Sequence, residues 1–201
     1  MNKPGKQYLS WYVFIIIANS CGSGYEDNQH KIFTGQEYTN VITDGGDQVP
    51  PPIYLNTGFT TPAEVVNYAQ TLIGVPYKYG SVDPAVGFDC SGFITYVFNH
   101  FNIKVPRSSV HFTFIGNVIP VETSKSGDII LFTGTDSTDG IVGHMGIVIS
   151  NNENLLFIHS TSGKAKGVTI TPMSDYYRSR FVKVIRVFRQ NDEGETAKGE
   201  K

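Results

Sequence analysis

Cysteine is scarce in this chain of 201 residues: Cys21 and Cys90 are the two present. Two cysteines leave no room for a disulfide framework of the kind that staples small secreted domains. Charge of one sign is also lacking. Sixteen Lys and Arg stand against eighteen Asp and Glu, a formal net charge of −2, with no basic stripe. That excludes the electrostatic footprint of a nucleic-acid binder. Long hydrophobic runs are missing too. The apolar stretch Leu9 to Ile17, broken by Ser10, falls short of the ~20 residues needed to span a membrane. There is no evident internal repeat, and no Cys/His grouping with the short spacing of a common zinc site. What is present is 40% apolar and 12% aromatic residues, enough for a packed core. The length suits one ordinary domain with flanking segments, and a monomer is expected.

The N-terminus reads as a targeting segment. Lys3 and Lys6 precede the apolar run, and Ala18-Asn19-Ser20-Cys21-Gly22 follows it. Small residues before a cysteine at that point resemble a bacterial lipobox, in which cleavage precedes the cysteine and lipid is attached to its thiol. Residues 1–20 are then a lipoprotein signal peptide, Cys21 is the lipidation site, and the chain is held at a membrane in the cell envelope. An ordinary secretory signal with an incidental cysteine is the competing reading. Residues 21–59 are expected to be a tether: Asp44-Gly45-Gly46-Asp47 and Pro50-Pro51-Pro52 are poor core formers, and a triple proline favours an extended segment. Ile53, Tyr54, Leu55 and Phe59 can nevertheless pack on a domain surface. Residues 60–190 are expected to form the domain, and 191–201 a disordered tail.

Within the domain, Thr61-Pro62-Ala63-Glu64 is a capping box with proline at the first helical position. Val65, Val66, Ala69, Leu72 and Ile73 continue it at helical spacing. A second helix is predicted from Cys90, with Asp89 as its N-cap and Phe93, Ile94, Val97, Phe98 and Phe101 as its apolar face. A helix N-terminus favours negative charge, so the spacing predicts a thiol of lowered proton affinity at Cys90. Gly87 and Gly92 allow the backbone to bend tightly around it. Strands are predicted over 128–133, 143–150, 154–160, 167–171 and 181–188. Helices followed by a meander of strands read as α+β, with N-terminal helices packed on an antiparallel sheet.

A nucleophilic thiol needs a base, and the base needs an orienting partner. His144 opens one predicted strand and His159 closes the next. In an antiparallel pair those positions lie side by side, so the two imidazoles are expected together at one sheet edge. His30 falls in the tether, and His100 ends the helix as a surface or capping residue.

Six segments now line up in order: Tyr77-Lys78-Tyr79-Gly80, Phe88 to Phe93, Val105-Pro106-Arg107-Ser108-Ser109, Ser126 to Phe132, Gly143 to Ile149 and Phe157-Ile158-His159-Ser160. Together they resemble the successive motifs of the NlpC-type, papain-like cell-wall endopeptidases. The resemblance implies a papain-like fold and hydrolysis of peptidoglycan stem peptides, at the bond between the γ-carboxyl of D-Glu and a diamino acid. It implies Cys90 as nucleophile, His144 as general base, His159 as orienting residue and Tyr77 as a lining residue of the oxyanion site. Asp89 and Ser91 match positions that bind a stem peptide's free amine in some relatives, although Asp89 also reads as the helix cap. Arg107 and Ser108 match a groove-lining motif, and His111 stands where relatives commonly carry glutamine. The chemistry calls for no metal and no cofactor. An amidase, an acyltransferase and a non-catalytic wall-binding lipoprotein are the alternatives that share these residues.

Overall fold

Thr61 caps the first helix through both arms of the capping box. Its hydroxyl accepts from the Glu64 N–H at 3.3 Å, and the Glu64 carboxylate accepts from the Thr61 N–H at 2.8 Å. The structure is a computed structural model that describes residues 52–134, 138 and 140–192. The expected signal segment, Cys21, His30, most of the expected tether and the end of the expected tail lie outside the described residues.

Helix α1 (Pro62–Thr71) buries Val65, Val66 and Ala69. The residues just before it are already attached. Ile53 exchanges backbone hydrogen bonds with Phe114 and Gly116, and Ile53 and Leu55 pack against the core. Phe59 is fully exposed. Beyond α1 the backbone turns at Gly74 and runs beside residues 166–168. A two-residue antiparallel pair follows, β1 (Val82–Asp83) with β2 (Gly87–Phe88). Helix α2 (Cys90–His100) then buries Phe93, Ile94, Val97 and Phe98, the face expected from its spacing. His100 ends this helix exposed, stacked on the Tyr68 ring at 3.7 Å between centroids.

The main sheet holds β3 (Asn117–Ile119), β4 (Ile129–Thr133), β5 (Val142–Asn151), β6 (Leu155–Thr161), β7 (Gly167–Pro172) and β8 (Phe181–Arg186). Their spatial order is β3-β8-β4-β5-β6-β7, and every pairing is antiparallel. A four-residue helix, α3 (Asp175–Arg178), precedes β8. The five expected strands are present with ends shifted by one or two residues. The edge strand β3 and the β1–β2 pair were not foreseen, because strands of two or three residues carry too few positions to show a period.

Strand β4 explains why its sequence reads as an apolar run without clear alternation. Ile129 and Leu131 belong to the core between sheet and helices. Ile130 and Phe132 belong to a second cluster on the opposite face, with Phe157, Met173 and Val184. A strand buried on both faces loses the polar half of the period-2 pattern. Helix α2 packs across β5 and β6, which brings its first residue to the edge where β5 begins. Among the described residues no helix is long and apolar enough to cross a membrane.

Gly92 fixes how closely α2 approaches the turn before it. A Cβ at this position would overlap the Ser81 carbonyl oxygen, which is backbone and cannot swing away. Gly92→Ala is therefore expected to destabilise the domain by ~1–3 kcal/mol, the usual cost of forced overpacking, read as a lowered midpoint in urea unfolding. An unchanged midpoint would mean that the helix start is free to shift.

Candidate active site

Asp89 sets the position of the cysteine. Its carboxylate accepts from the Gly92 N–H at 2.5 Å, capping α2, and from the Gly80 N–H at 2.8 Å. Arg107 clamps it with two nitrogens, Nη1 to Oδ1 at 3.0 Å and Nη2 to Oδ2 at 2.7 Å, and also donates to the Ser91 hydroxyl at 2.9 Å. Fork-to-fork pairing is the strong geometry for arginine and carboxylate. It lets Asp89, only 7% exposed, stay buried as an anion. So the expected cap is present, and the same carboxylate anchors the Gly80 turn and Arg107.

Cys90 follows as the first residue of α2. Its thiol donates to the Gly143 carbonyl, with Sγ 3.7 Å from the oxygen. The next residue on β5 is His144. Its Nε2 lies 2.7 Å from Nδ1 of His159, and Nε2 of His159 lies 3.0 Å from the Thr171 hydroxyl. The strand-pairing expectation for the two histidines is met. Thr171 was missed. His159 pairs with Thr169 across β6 and β7, so Thr171 is its diagonal neighbour on the same face. That register can be read once the turn between the strands is known.

These groups border a cavity of about 1050 Å³ whose walls include Tyr77, Cys90, His144, Lys164, Tyr177 and Arg180. His159 is completely buried behind His144. Asp89, Ser91, Arg107, Ser108 and His111 do not line this cavity. Asp89, Ser91 and Arg107 form the buttress beneath the helix start. Ser108 and His111 lie at a 3-10 turn (Ser109–Phe114) whose first residue donates through its hydroxyl to the Val142 carbonyl at 3.4 Å. Sequence reasoning missed Tyr177 and Arg180, since a four-residue helix and its flank show no period.

Burial dominates the electrostatics. It pushes the Cys90 thiol up to about 11, and the Asp89 charge adds to this; hydrogen bonds from the Ser91 and Cys90 backbone and the charge of Arg107 oppose it. The expectation of a thiol made acidic by the helix N-terminus is thereby corrected. Desolvation of the thiolate outweighs the favourable groups. Burial likewise pulls His144 down to about 4, with Arg180 contributing, and His159 down to about 3, with His144 contributing. The Tyr77 phenol is raised, first by burial and then by the Cys90 and Asp89 charges, so it remains a hydrogen-bond donor. At neutral pH the cavity is bordered by a neutral thiol and by the neutral His144 imidazole, which is hydrogen-bonded to the neutral His159 behind it.

Residues 74–186 match the NlpC/P60 family, and the chain belongs to it. Its fold is the papain-like α+β fold of that family. Over 123 residues, 61% of this chain, it is 34% identical to the gamma-DL-glutamyl hydrolase of Bacillus subtilis, covering 29% of that protein. It is 30% identical over 129 residues, 64% of this chain, to the probable endopeptidase NlpC of Escherichia coli, covering 79% of it. The crystal structure of an NlpC/P60 family protein from Bacillus cereus superposes with a TM-score of 0.58 at 26% identity, covering 65% of this chain and 41% of that one. The chain spans less than half the length of several curated relatives, 29%, 44% and 33% in three of them.

The buried histidines predict a sign for the pH dependence of stability. Both are held below the ordinary 6.5 in the folded protein, so the unfolded chain binds more protons between those limits. Stability is then complete above pH ~6.5 and is lost progressively as pH falls toward 3, by up to ~1.4 kcal/mol per pH step of one for each histidine. Urea unfolding at pH 7, 5 and 4 should show this loss, with a shallower slope in His159→Asn. Equal slopes in the two proteins would refute burial of a neutral His159.

Proposed function

We propose that this protein is a cysteine hydrolase of peptidoglycan stem peptides, cutting the amide between the γ-carboxyl of D-Glu and a diamino acid. The observation that carries this reading is the hydrogen-bonded chain from His144 through His159 to Thr171, which ends at a cavity containing the Cys90 thiol. Membership of the NlpC/P60 family supports it. So do relatives named as a gamma-DL-glutamyl hydrolase, a probable endopeptidase and a gamma-D-glutamyl-L-lysine dipeptidyl-peptidase.

In this reading the proton order along the chain starts at Thr171. His159 Nε2–H donates to the threonine, its Nδ1 accepts from His144 Nε2–H, and His144 Nδ1 keeps the lone pair that a general base requires. Cys90 attacks the carbonyl carbon as its proton passes to His144. The developing oxyanion is held by backbone N–H groups at the start of α2 together with the Tyr77 hydroxyl. His144 then protonates the leaving amine and the C–N bond breaks, leaving a thioester on Cys90. Water, deprotonated by His144, hydrolyses the thioester and restores the thiol. A resting neutral pair suits this scheme, because charge separates only when the carbonyl is present to accept it. The steps require no metal or cofactor. Asp89, Ser91 and Arg107 act here by fixing Cys90, since the Asp89 oxygens are already occupied by donors from the protein itself. The reading extends to the termini: residues 1–20 direct export, Cys21 carries lipid, the following segment tethers a monomeric domain to a membrane, and the enzyme works in the cell envelope.

Mass spectrometry of defined muropeptides tests the activity. Release of an L-Ala-D-Glu fragment is expected from the unaltered protein and not from Cys90→Ala, while His144→Ala should lose ~10²–10⁴-fold in kcat/KM. Cleavage between sugar and L-Ala would make the protein an amidase instead. Turnover surviving in Cys90→Ala would remove the nucleophile assignment.

A further inference from the structure

We propose that Arg180, with Lys164 at the rim, forms a subsite that takes a carboxylate of the leaving diamino acid, so that the protein selects a leaving group by its negative charge. This rests on the hydrolase reading given above.

Phe132 on β4 pairs with His144 on β5. Just beyond that pair, Arg180 Nη2 donates to the carbonyls of Thr133 (3.0 Å) and Gly134. Its Nη1 donates to the Tyr176 hydroxyl, and its guanidinium lies over the Tyr176 ring, 4.9 Å from the centroid. Tyr177 stacks toward His144 at 6.3 Å. The guanidinium therefore belongs to the wall that carries His144, and Arg180 and Lys164 both line the cavity that holds Cys90.

Every partner of Arg180 is a neutral oxygen. Among the described residues no carboxylate pairs with it, whereas Arg107 and Arg186 each grip an aspartate. Guanidinium has five N–H donors. Three are used, and Nε is buried with no partner. A fixed cation in a cavity, with an Nη1 donor to spare and no carboxylate paired with it among the described residues, is suited to an anion supplied by the substrate.

Chemistry decides which end of the substrate that is. His144 delivers its proton to the leaving nitrogen, so the leaving fragment lies on the imidazole side of the scissile carbonyl. The acyl fragment lies toward α2, where Asp89 and Arg107 already neutralise one another. Arg180 thus faces the fragment that departs. A diamino acid bound through one amine still has free carboxylate to offer there, while its amidated form offers none.

The test compares two tripeptides, L-Ala-γ-D-Glu-diaminopimelate with free carboxylates on the diamino acid, and the same peptide with those carboxylates amidated. The unaltered protein should prefer the acid by about tenfold or more in kcat/KM, the scale of a charge-assisted contact. Arg180→Gln should bring the ratio close to one, while Arg180→Lys should retain part of it. The ratio is taken on a single preparation, so partial unfolding affects both substrates alike and cancels. An acid preference that persists unchanged in Arg180→Gln overturns the subsite. If the unaltered protein cuts neither peptide, the hydrolase reading falls by itself. Binding of the same two peptides to the Cys90→Ala protein, followed by calorimetry, then decides the subsite: tighter binding of the acid that disappears with Arg180→Gln supports it, and equal binding of acid and amide overturns it.

Discussion

Five donors converge on the carboxylate of Asp89: the N–H groups of Gly80 and Gly92, the Ser91 hydroxyl, and two nitrogens of Arg107. They come from three separate stretches of chain, the turn before β1, the start of α2 and the segment after that helix. An aspartate 7% exposed is tolerable only with such compensation. Because Cys90 follows Asp89 directly, the carboxylate that pins these stretches also fixes where the thiol emerges. Gly92 completes the constraint, since the helix start is pressed against the Ser81 carbonyl too closely for any side chain. The sheet then needs only to present its β5 edge at that point, which the packing of α2 on β5 and β6 achieves.

The cost of this placement is desolvation. The same packing that aims Cys90 into the cavity raises its thiol, and burial behind β5 lowers both imidazoles. The thiol and both imidazoles are thereby held in their neutral forms, and in the proposed mechanism the charges must be generated together. The Thr171 hydroxyl at the far end of the chain matters because a neutral imidazole carries only one proton. The hydroxyl is able to accept from His159 Nε2–H, and with the proton there His159 Nδ1 is the acceptor for His144 Nε2–H and the other His144 nitrogen stays free.

Much of this was legible in the residues. The capping box at Thr61, the apolar face of α2, the cap at Asp89 and the meeting of His144 with His159 all follow from period and spacing, and the structure has them. Features that depend on tertiary register were not legible. Thr171 joins the relay only because β7 pairs with β6 in one particular register. The edge strand β3 is three residues between Gly116 and Pro120, too short to announce itself. The raised proton affinity of the Cys90 thiol was hidden for a related reason. Helix position can be read from sequence, but the depth of burial that outweighs it cannot.

Arginine use shows where the molecule keeps its charge balanced and where it does not. Arg186 is 2% exposed and grips the fully buried Asp128 through Nε at 3.2 Å and Nη2 at 3.1 Å, tying the start of β4 to the end of β8. Arg107 does the same for Asp89 beneath Cys90. Both are pairs whose partners are supplied within the fold, so their fields are largely cancelled at short range. Arg180 departs from this pattern. It is held by carbonyl and phenol oxygens that orient a cation without neutralising it, and its field reaches His144, whose protonated form it disfavours. In the proposed mechanism a cation beside the general base, paired with no carboxylate among the described residues, is a liability unless an anion arrives with the substrate. Neutralised at that moment, Arg180 would cease to oppose protonation of His144 just when the imidazole must accept the thiol proton. Substrate charge and proton transfer are then coupled through one guanidinium.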